Sequence, residues 1–226
     1  MKKLRFFALF LCLISSLTFI IFSGCAKTNP LYDCVSELRL NLYQGSCEDF
    51  TLKAGYGFKE TPYHNDGEVS KRIYQLTFRL LNKDIDDITY TLKLNYNSQT
   101  YSGIFALDPI TNAITTKIEV ENFDLKEFTV VLSFGGAEKE IIMTSLLPEG
   151  TMTYQSALDK LHKNQTALIG AFTDQNGKFT AEIYMRIIVK EQKPYWYIGF
   201  ANGNDRLKAM LMDGFNGELL AVREVF

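Results

Sequence analysis

The sequence predicts a mainly β chain: an antiparallel β-sandwich over residues 34–147, followed over 151–226 by a small α+β domain of one helix and four strands. Three observations predict it. Apolar and polar residues alternate in about eight runs between residues 34 and 145; turn-forming clusters separate those runs; and the period becomes helical directly after Pro148 and Gly150 interrupt the segment Leu146–Thr151.

In chain order, Leu38, Leu40 and Leu42 alternate with Arg39 and Asn41, and Phe50, Leu52 and Ala54 with Thr51 and Lys53. These two runs predict a hairpin turning near Gln44–Glu48. Tyr74–Leu80, Ile88–Leu94, Tyr101–Phe105, Ile114–Val120, Phe128–Phe134 and Ile141–Met143 repeat the pattern, punctuated by HNDGE (64–68), NKDIDD (82–87), NYNSQ (95–99), DPITN (108–112) and FGGAE (134–138). Short strands so regularly interrupted, with no helical pattern between them, predict a sandwich of immunoglobulin-like type.

From Thr153, a plausible N-cap, the apolar residues Tyr154, Ala157, Leu158, Leu161, Leu168, Ile169 and Phe172 fall at helical spacing. One helix to about Phe172 is expected; Gln165 would then lie on its buried side, so a break near Asn164 is the alternative. After TDQNGK (173–178) the period returns to two. Ile183–Val189, Trp196–Phe200, Leu207–Leu211 and a final strand in ELLAVRE are separated by the turns EQKP, NGND and DGFNG. That meander would bury one face against the helix.

The last hairpin, LMDGFNGELLAV, places Asp213, Gly217 and Glu218 in the order Asp-x-x-x-Gly-Glu before an apolar strand, with Asn216–Gly217 where a tight hairpin needs positive φ. A helix followed by strands and this turn resembles the PepSY-type domain over residues 151–226, with an extra strand pair and the YWYIGF run departing from its shortest form. The resemblance implies an accessory domain of exported or membrane-associated proteins, with inhibitory or partner-binding roles.

The N-terminus carries an address. MKKLR precedes Phe6–Phe22, seventeen residues without a charge, and then Ser23, Gly24 and Cys25. A basic start and an apolar run make a secretory signal. The small residues before Cys25 make the stretch similar to the lipobox of bacterial lipoproteins, with Phe22 where leucine is commonest. That resemblance implies a signal peptide over 1–24 and a diacylglycerol thioether on Cys25. It places the protein on the outer face of the bacterial cytoplasmic membrane, held by its lipid. Each buried methylene contributes about 0.8 kcal/mol, so two acyl chains anchor essentially permanently. The tether, 25–33, is short: eight residues after Cys25 reach at most about 28 Å.

Loss of the leader removes Lys2, Lys3 and Arg5, leaving 21 basic against 26 acidic residues, a net charge of −5. No basic excess or patch is visible, so no nucleic-acid partner is expected. Cys34 and Cys47 remain, and in an exported protein they could pair. The expected hairpin puts Cys47 in its turn and Cys34 at the far end, beyond the Cα separation of about 7 Å that a bridge requires.

Catalytic signatures are absent: no HExxH, GxSxG, phosphate-binding loop or dinucleotide fingerprint, and only two histidines, His64 and His162. His64, with Asn65, Asp66 and Glu68 beside it, reads as an exposed turn. Asp84, Asp86 and Asp87 read as a solvated turn. Asp174, Asn176, Gly177 and Glu182 miss the calcium-loop spacing, which needs glycine sixth and a carboxylate twelfth. No metal, cofactor or catalytic residue is therefore expected. Tyr195 and Tyr197 point opposite to Trp196, so the pair either packs between the domains or offers a stacking surface. The reading is a noncatalytic, membrane-tethered module that binds a protein or envelope component. Its alternatives are a saccharide or peptide receptor using Tyr195 and Tyr197, or a carboxylate-dependent hydrolase.

Overall fold

The structure is a computed structural model that describes residues 29–48, 50–62, 70–81, 88–203 and 206–225. The leader, Cys25, the His64 turn and Asp84, Asp86 and Asp87 lie outside the described residues. Within them the chain is mostly antiparallel β with two α-helices.

A 3-10 turn, Pro30–Cys34, leads into β1 (Val35–Cys47), β2 (Phe50–Thr61), β3 (Lys71–Leu81), β4 (Tyr90–Tyr96), β5 (Gln99–Ile104), β6 (Ala106–Asp108), β7 (Ala113–Glu119), β8 (Glu127–Phe134) and β9 (Ala137–Ser145). Helices α1 (Tyr154–Asn164) and α2 (Thr166–Gly170) follow, then β10 (Glu182–Lys190), β11 (Lys193–Asn202), β12 (Arg206–Asp213) and β13 (Leu219–Val225). Pairing runs β13-β12-β11-β10-β1-β2-β3-β7-β6, while β5-β4-β8-β9 forms a second layer joined to β1 where Tyr43 and Gln44 meet Ser145 and Thr144.

Alternation explains the layers. On β2, Phe50, Leu52, Ala54, Tyr56 and Phe58 are buried while Lys53 and Lys59 are exposed. Phe50, Leu52, Ala54 and Tyr56 of β2, with Leu76, Phe78 and Leu80 of β3, meet Leu92, Leu94, Val130, Leu132 and Ile141 of the second layer in one core. The run Tyr101–Phe105 is one strand that ends at Ile104, with a further short strand, β6, beginning after Phe105. β5 pairs with β4 and β6 with β7, so the chain changes layers at Phe105, whose N–H donates to the Tyr90 carbonyl at 2.9 Å.

The second core packs Ala157, Leu158 and Leu161 of α1 on Ile183, Met185, Trp196, Ile198, Met210 and Met212 of a β10–β13 meander. Thr153 caps α1, accepting from Ser156 N–H at 3.2 Å. The single helix to Phe172 is replaced by two, with a break at Gln165 (φ −125°, ψ 45°). An unbroken helix would carry the Gln165 amide into the apolar face. The closing turn is also longer than a two-residue hairpin. Only Gly217 is left-handed (φ 74°), and Asp213 Oδ1 accepts from Phe215 and Asn216 N–H at 2.8 and 3.0 Å.

The break at Leu146–Thr151 does connect β9 to α1, yet it does not separate the strands into two sets. β1 pairs in parallel with β10 over Val35–Arg39 and antiparallel with β2 along its length, with a register shift between Arg39 and Asn41. Leu31, Val35, Leu38 and Phe58 belong to the second core, while Tyr43 and Leu52 belong to the first. Cys34 and Cys47 stand at opposite ends of this strand and both are free thiols, with burial pushing the Cys34 thiol up.

A polar lock fixes the entry to β1. Glu60, only 3% exposed, meets Arg72 across β2 and β3 at 3.3 Å; Arg72 Nη2 donates to the carbonyls of Tyr32 (3.2 Å) and Val35 (3.3 Å) and its guanidinium lies 4.8 Å from the Phe58 ring centre. Arg72→Met would strand a buried carboxylate and is expected to cost about 3 kcal/mol, most of it recovered in Arg72→Met/Glu60→Leu, as read by urea unfolding.

Tyr32 donates to Asp159 Oδ1 at 2.7 Å, and burial first, then this bond, push its pKa up to about 12 from 10.0. The fold thus holds the neutral hydroxyl, so its contribution is complete below pH 10.0 and disappears as pH rises towards about 12. Tyr32→Phe should remove that share of the alkaline loss of stability.

Three hairpins use two-residue turns with both residues left-handed: Asn97–Ser98, Gly135–Gly136 and Glu191–Gln192 (φ 51° and 60°). The last pair lacks the residues such turns favour. Glu191→Asn with Gln192→Gly should raise the melting temperature by about 2–4 °C for each kcal/mol of relieved strain, measured by calorimetry.

Candidate functional site

Where the two cores meet, β1, β2 and β3 bend around a cleft of about 520 Å³. Leu40 and Tyr74 pack against both cores and form its floor, Tyr56 and Phe123 one wall, and Met152, Tyr154 and Trp196 the other. Asn41, Asp124, Thr151 and Gln155 give it a polar rim.

Local chemistry holds each wall. The rings of Tyr56 and Tyr74 stack at 6.4 Å with 30° between planes, and Tyr74 also meets Phe58 at 5.3 Å. The loop carrying Phe123 is fastened twice, since Phe123 N–H donates to the Tyr56 hydroxyl (3.1 Å) and the Tyr96 hydroxyl donates to the Asn122 carbonyl (2.7 Å). Met152 is clamped by its N–H on the Gly214 carbonyl (2.8 Å) and its carbonyl on Trp196 Nε1 (3.1 Å). The Lys160 ammonium donates to the Asn216 carbonyl at 2.8 Å, and a side chain on Gly217 would collide with the Lys160 stem. The closing turn therefore seats α1, and α1 seats the cleft wall.

Asn41 Oδ1 accepts from Ser145 Oγ (2.8 Å) and Leu42 N–H (2.7 Å), and its Nδ2 donates to the Tyr43 hydroxyl (3.0 Å). The Tyr74 and Tyr154 hydroxyls, by contrast, have no hydrogen-bond partner among the described residues. Burial raises the Tyr154 pKa, which keeps its hydroxyl protonated and able to donate. Aromatic walls with two spare hydroxyls and amide or carboxylate groups at the rim can stack on a flat or ring-shaped group and hydrogen-bond its edges. Among the described residues the lining contains one carboxylate, Asp124, and no histidine or cysteine.

The sequence-derived candidates are distributed differently. Tyr195 and Tyr197 are half-buried on the face of β11 opposite to Trp196, where Tyr197 pairs with Arg186 and Leu211; they do not enter the cleft. Trp196, assigned to the core by alternation, closes the cleft from behind. His162 is exposed in the last turn of α1. The Asp174 carboxylate accepts from Asn176 and Lys178 N–H in its own turn (2.9 and 2.8 Å), and Glu182 sits in β10 bonded to the Tyr184 hydroxyl (2.6 Å), so these two do not converge. Among the described residues no His, Cys, Asp and Glu group has the arrangement of a metal site. Tyr56, Tyr74, Phe123 and Tyr154 come from four separate segments; alternation placed Tyr74 on a strand and helical spacing placed Tyr154 on the helix, but nothing in the sequence brought the four together.

Comparison with known protein families, with curated proteins and with solved structures finds no match.

Trp196→Phe removes the donor to the half-buried Met152 carbonyl while keeping a ring in the wall. It should cost about 1–2 kcal/mol in urea unfolding and leave the far core, reported by hydrogen exchange in β4 and β8, unchanged.

Proposed function

We propose that this chain is a lipoprotein held on the outer face of the cytoplasmic membrane through Cys25, and that its folded part is a noncatalytic binding module. The aromatic cleft receives a peptide or saccharide segment of a partner protein or envelope component. The observation that carries this reading is the cleft itself, in which Tyr74, stacked on Tyr56, and Tyr154 present hydroxyls without a hydrogen-bond partner among the described residues. Stacking and edge hydrogen bonds suit recognition; among the described residues the lining pairs no acid with a base.

Finer features favour the same reading. Two antiparallel layers with a chain crossing at Phe105 support the immunoglobulin-like assignment, and a helix on a four-strand meander, closed by the Asp213–Glu218 turn, supports the PepSY-like one. The tether is shorter than its sequence length implies. Asn29 is already bonded to Asp159 through Nδ2 (3.1 Å), so the four steps from Cys25 span at most about 14 Å. A body held that close would meet partners at the membrane surface.

Two measurements test the proposal. Cys25→Ser should move the protein from the membrane to the soluble fraction and abolish incorporation of labelled fatty acid; retention of either signal would sink the anchor. A photocrosslinker at Gln155 in intact cells should capture a reproducible partner, with capture falling about tenfold or more in Tyr74→Ala/Tyr154→Ala, since interface aromatics commonly carry such shares of affinity. Unchanged capture would show that the cleft is not the recognition site.

A further inference from the structure

The same three strands that floor the cleft turn their other face to a second groove, also about 520 Å³, and its chemistry is opposite. Its floor is glycine. On β2 the outward positions run Lys53, Gly55, Gly57, Lys59: no side chain fits at Gly57 beneath the Leu38 carbonyl, and a Cβ on Gly55 would press within 3.3 Å of the Arg39 stem. Arg39 therefore lies flat across the floor.

Arg39 is in direct register with Arg186 on the parallel neighbour β10, two guanidinium groups side by side on adjacent strands. Glu37 pairs with one of the two, meeting Arg186 Nη2 at 2.8 Å. Arg186 Nε is buried with no hydrogen-bond partner among the described residues. Arg39, Lys53, Arg79 and Lys117 line the groove without a carboxylate at ion-pair distance among the described residues. Asp108, at the far rim, is occupied by its own turn, accepting from Ile110 and Thr111 N–H at 2.9 and 3.1 Å. Burial first, and the Arg186 guanidinium second, lower the Arg39 pKa, as expected where positive charge is under-compensated.

We infer that this groove binds a linear polyanion, with Arg39 and Arg186 gripping one anionic group at the β10 end of the run and Lys53, Arg79 and Lys117 engaging the groups that follow it towards β7. Distribution decides for a chain over a single ion. The cations are spread from β10 to β7, four interstrand spacings or about 19 Å. A lone phosphate reaches only the arginine pair. A flat lipid surface reaches the rim but not guanidinium groups lying on a concave floor. Planar guanidinium forks favour phosphate or carboxylate oxygens, and glycine lets the chain approach the sheet. The net charge of the whole protein hides this face, because the acidic excess lies elsewhere.

The test uses the full chain in neutral detergent, with short linear inorganic polyphosphate as probe and fluorescence anisotropy as readout. Binding should weaken about 50-fold between about 50 and 200 mM salt if some four phosphates are neutralised. Arg79→Gln/Lys117→Gln, on exposed positions, should lose about tenfold with an unchanged melting temperature, and Arg39→Gln/Arg186→Gln should lose more. Orthophosphate at equal phosphate concentration should compete poorly. Salt-independent binding, indifference to both double variants, or equal competition by orthophosphate would each overturn the inference. So would variant-sensitive capture by phosphatidylglycerol vesicles without polyphosphate binding, which would make the face a membrane contact. Crosslinking through Gln155 in the cleft is unaffected by these variants, so failure here and failure of the proposed function are separable.

Discussion

β1 is the constraint on which the structure depends. A four-strand meander offers a bare edge at β10, and a strand edge left open is a template for unwanted pairing. Here the first half of β1 occupies that edge in parallel, while the second half meets β9 and the whole length pairs with β2. One thirteen-residue strand thus serves two cores, and neither is complete without it. The register shift after Arg39 marks where it passes from one to the other.

Because the cores share strands, they share faces. The inward side of β1–β3 carries Leu40, Tyr56 and Tyr74 into the aromatic cleft; the outward side carries Arg39, Gly55, Gly57 and Thr77 into the cationic groove. A period of two is enough to give one set of strands two unrelated chemistries back to back. The buried Glu60–Arg72 pair contributes less by its own attraction than by position: it holds the carbonyls of Tyr32 and Val35, and hence the entry of β1 into the β10 edge.

Much of the fold was legible, and for local reasons. Alternation located nearly every strand, Thr153 marked the start of α1, and Asn97–Ser98 and Gly135–Gly136 turned where turn chemistry placed them. The site was not legible. Trp196 reads as core by alternation and is core, yet its indole edge clamps Met152, a contact 44 residues away in sequence. Tyr195 and Tyr197 share one face of a strand two positions apart, whereas the cleft is made by residues from separate segments. Composition was misleading in the same way: an acidic total is compatible with a cationic groove once Arg39 and Arg186, 147 positions apart, fall in register.

The sequence by itself determined which residues face inward, where the chain turns, and the change of period at Leu146–Thr151, since each depends on neighbours a few positions away. Only the tertiary structure decided that β1 joins β10, that Gln165 breaks the helix, and that aromatic and cationic residues from distant strands gather on opposite faces. Those outcomes depend on which edges and faces remain unburied after the local elements form, and burial is a property of the assembled whole.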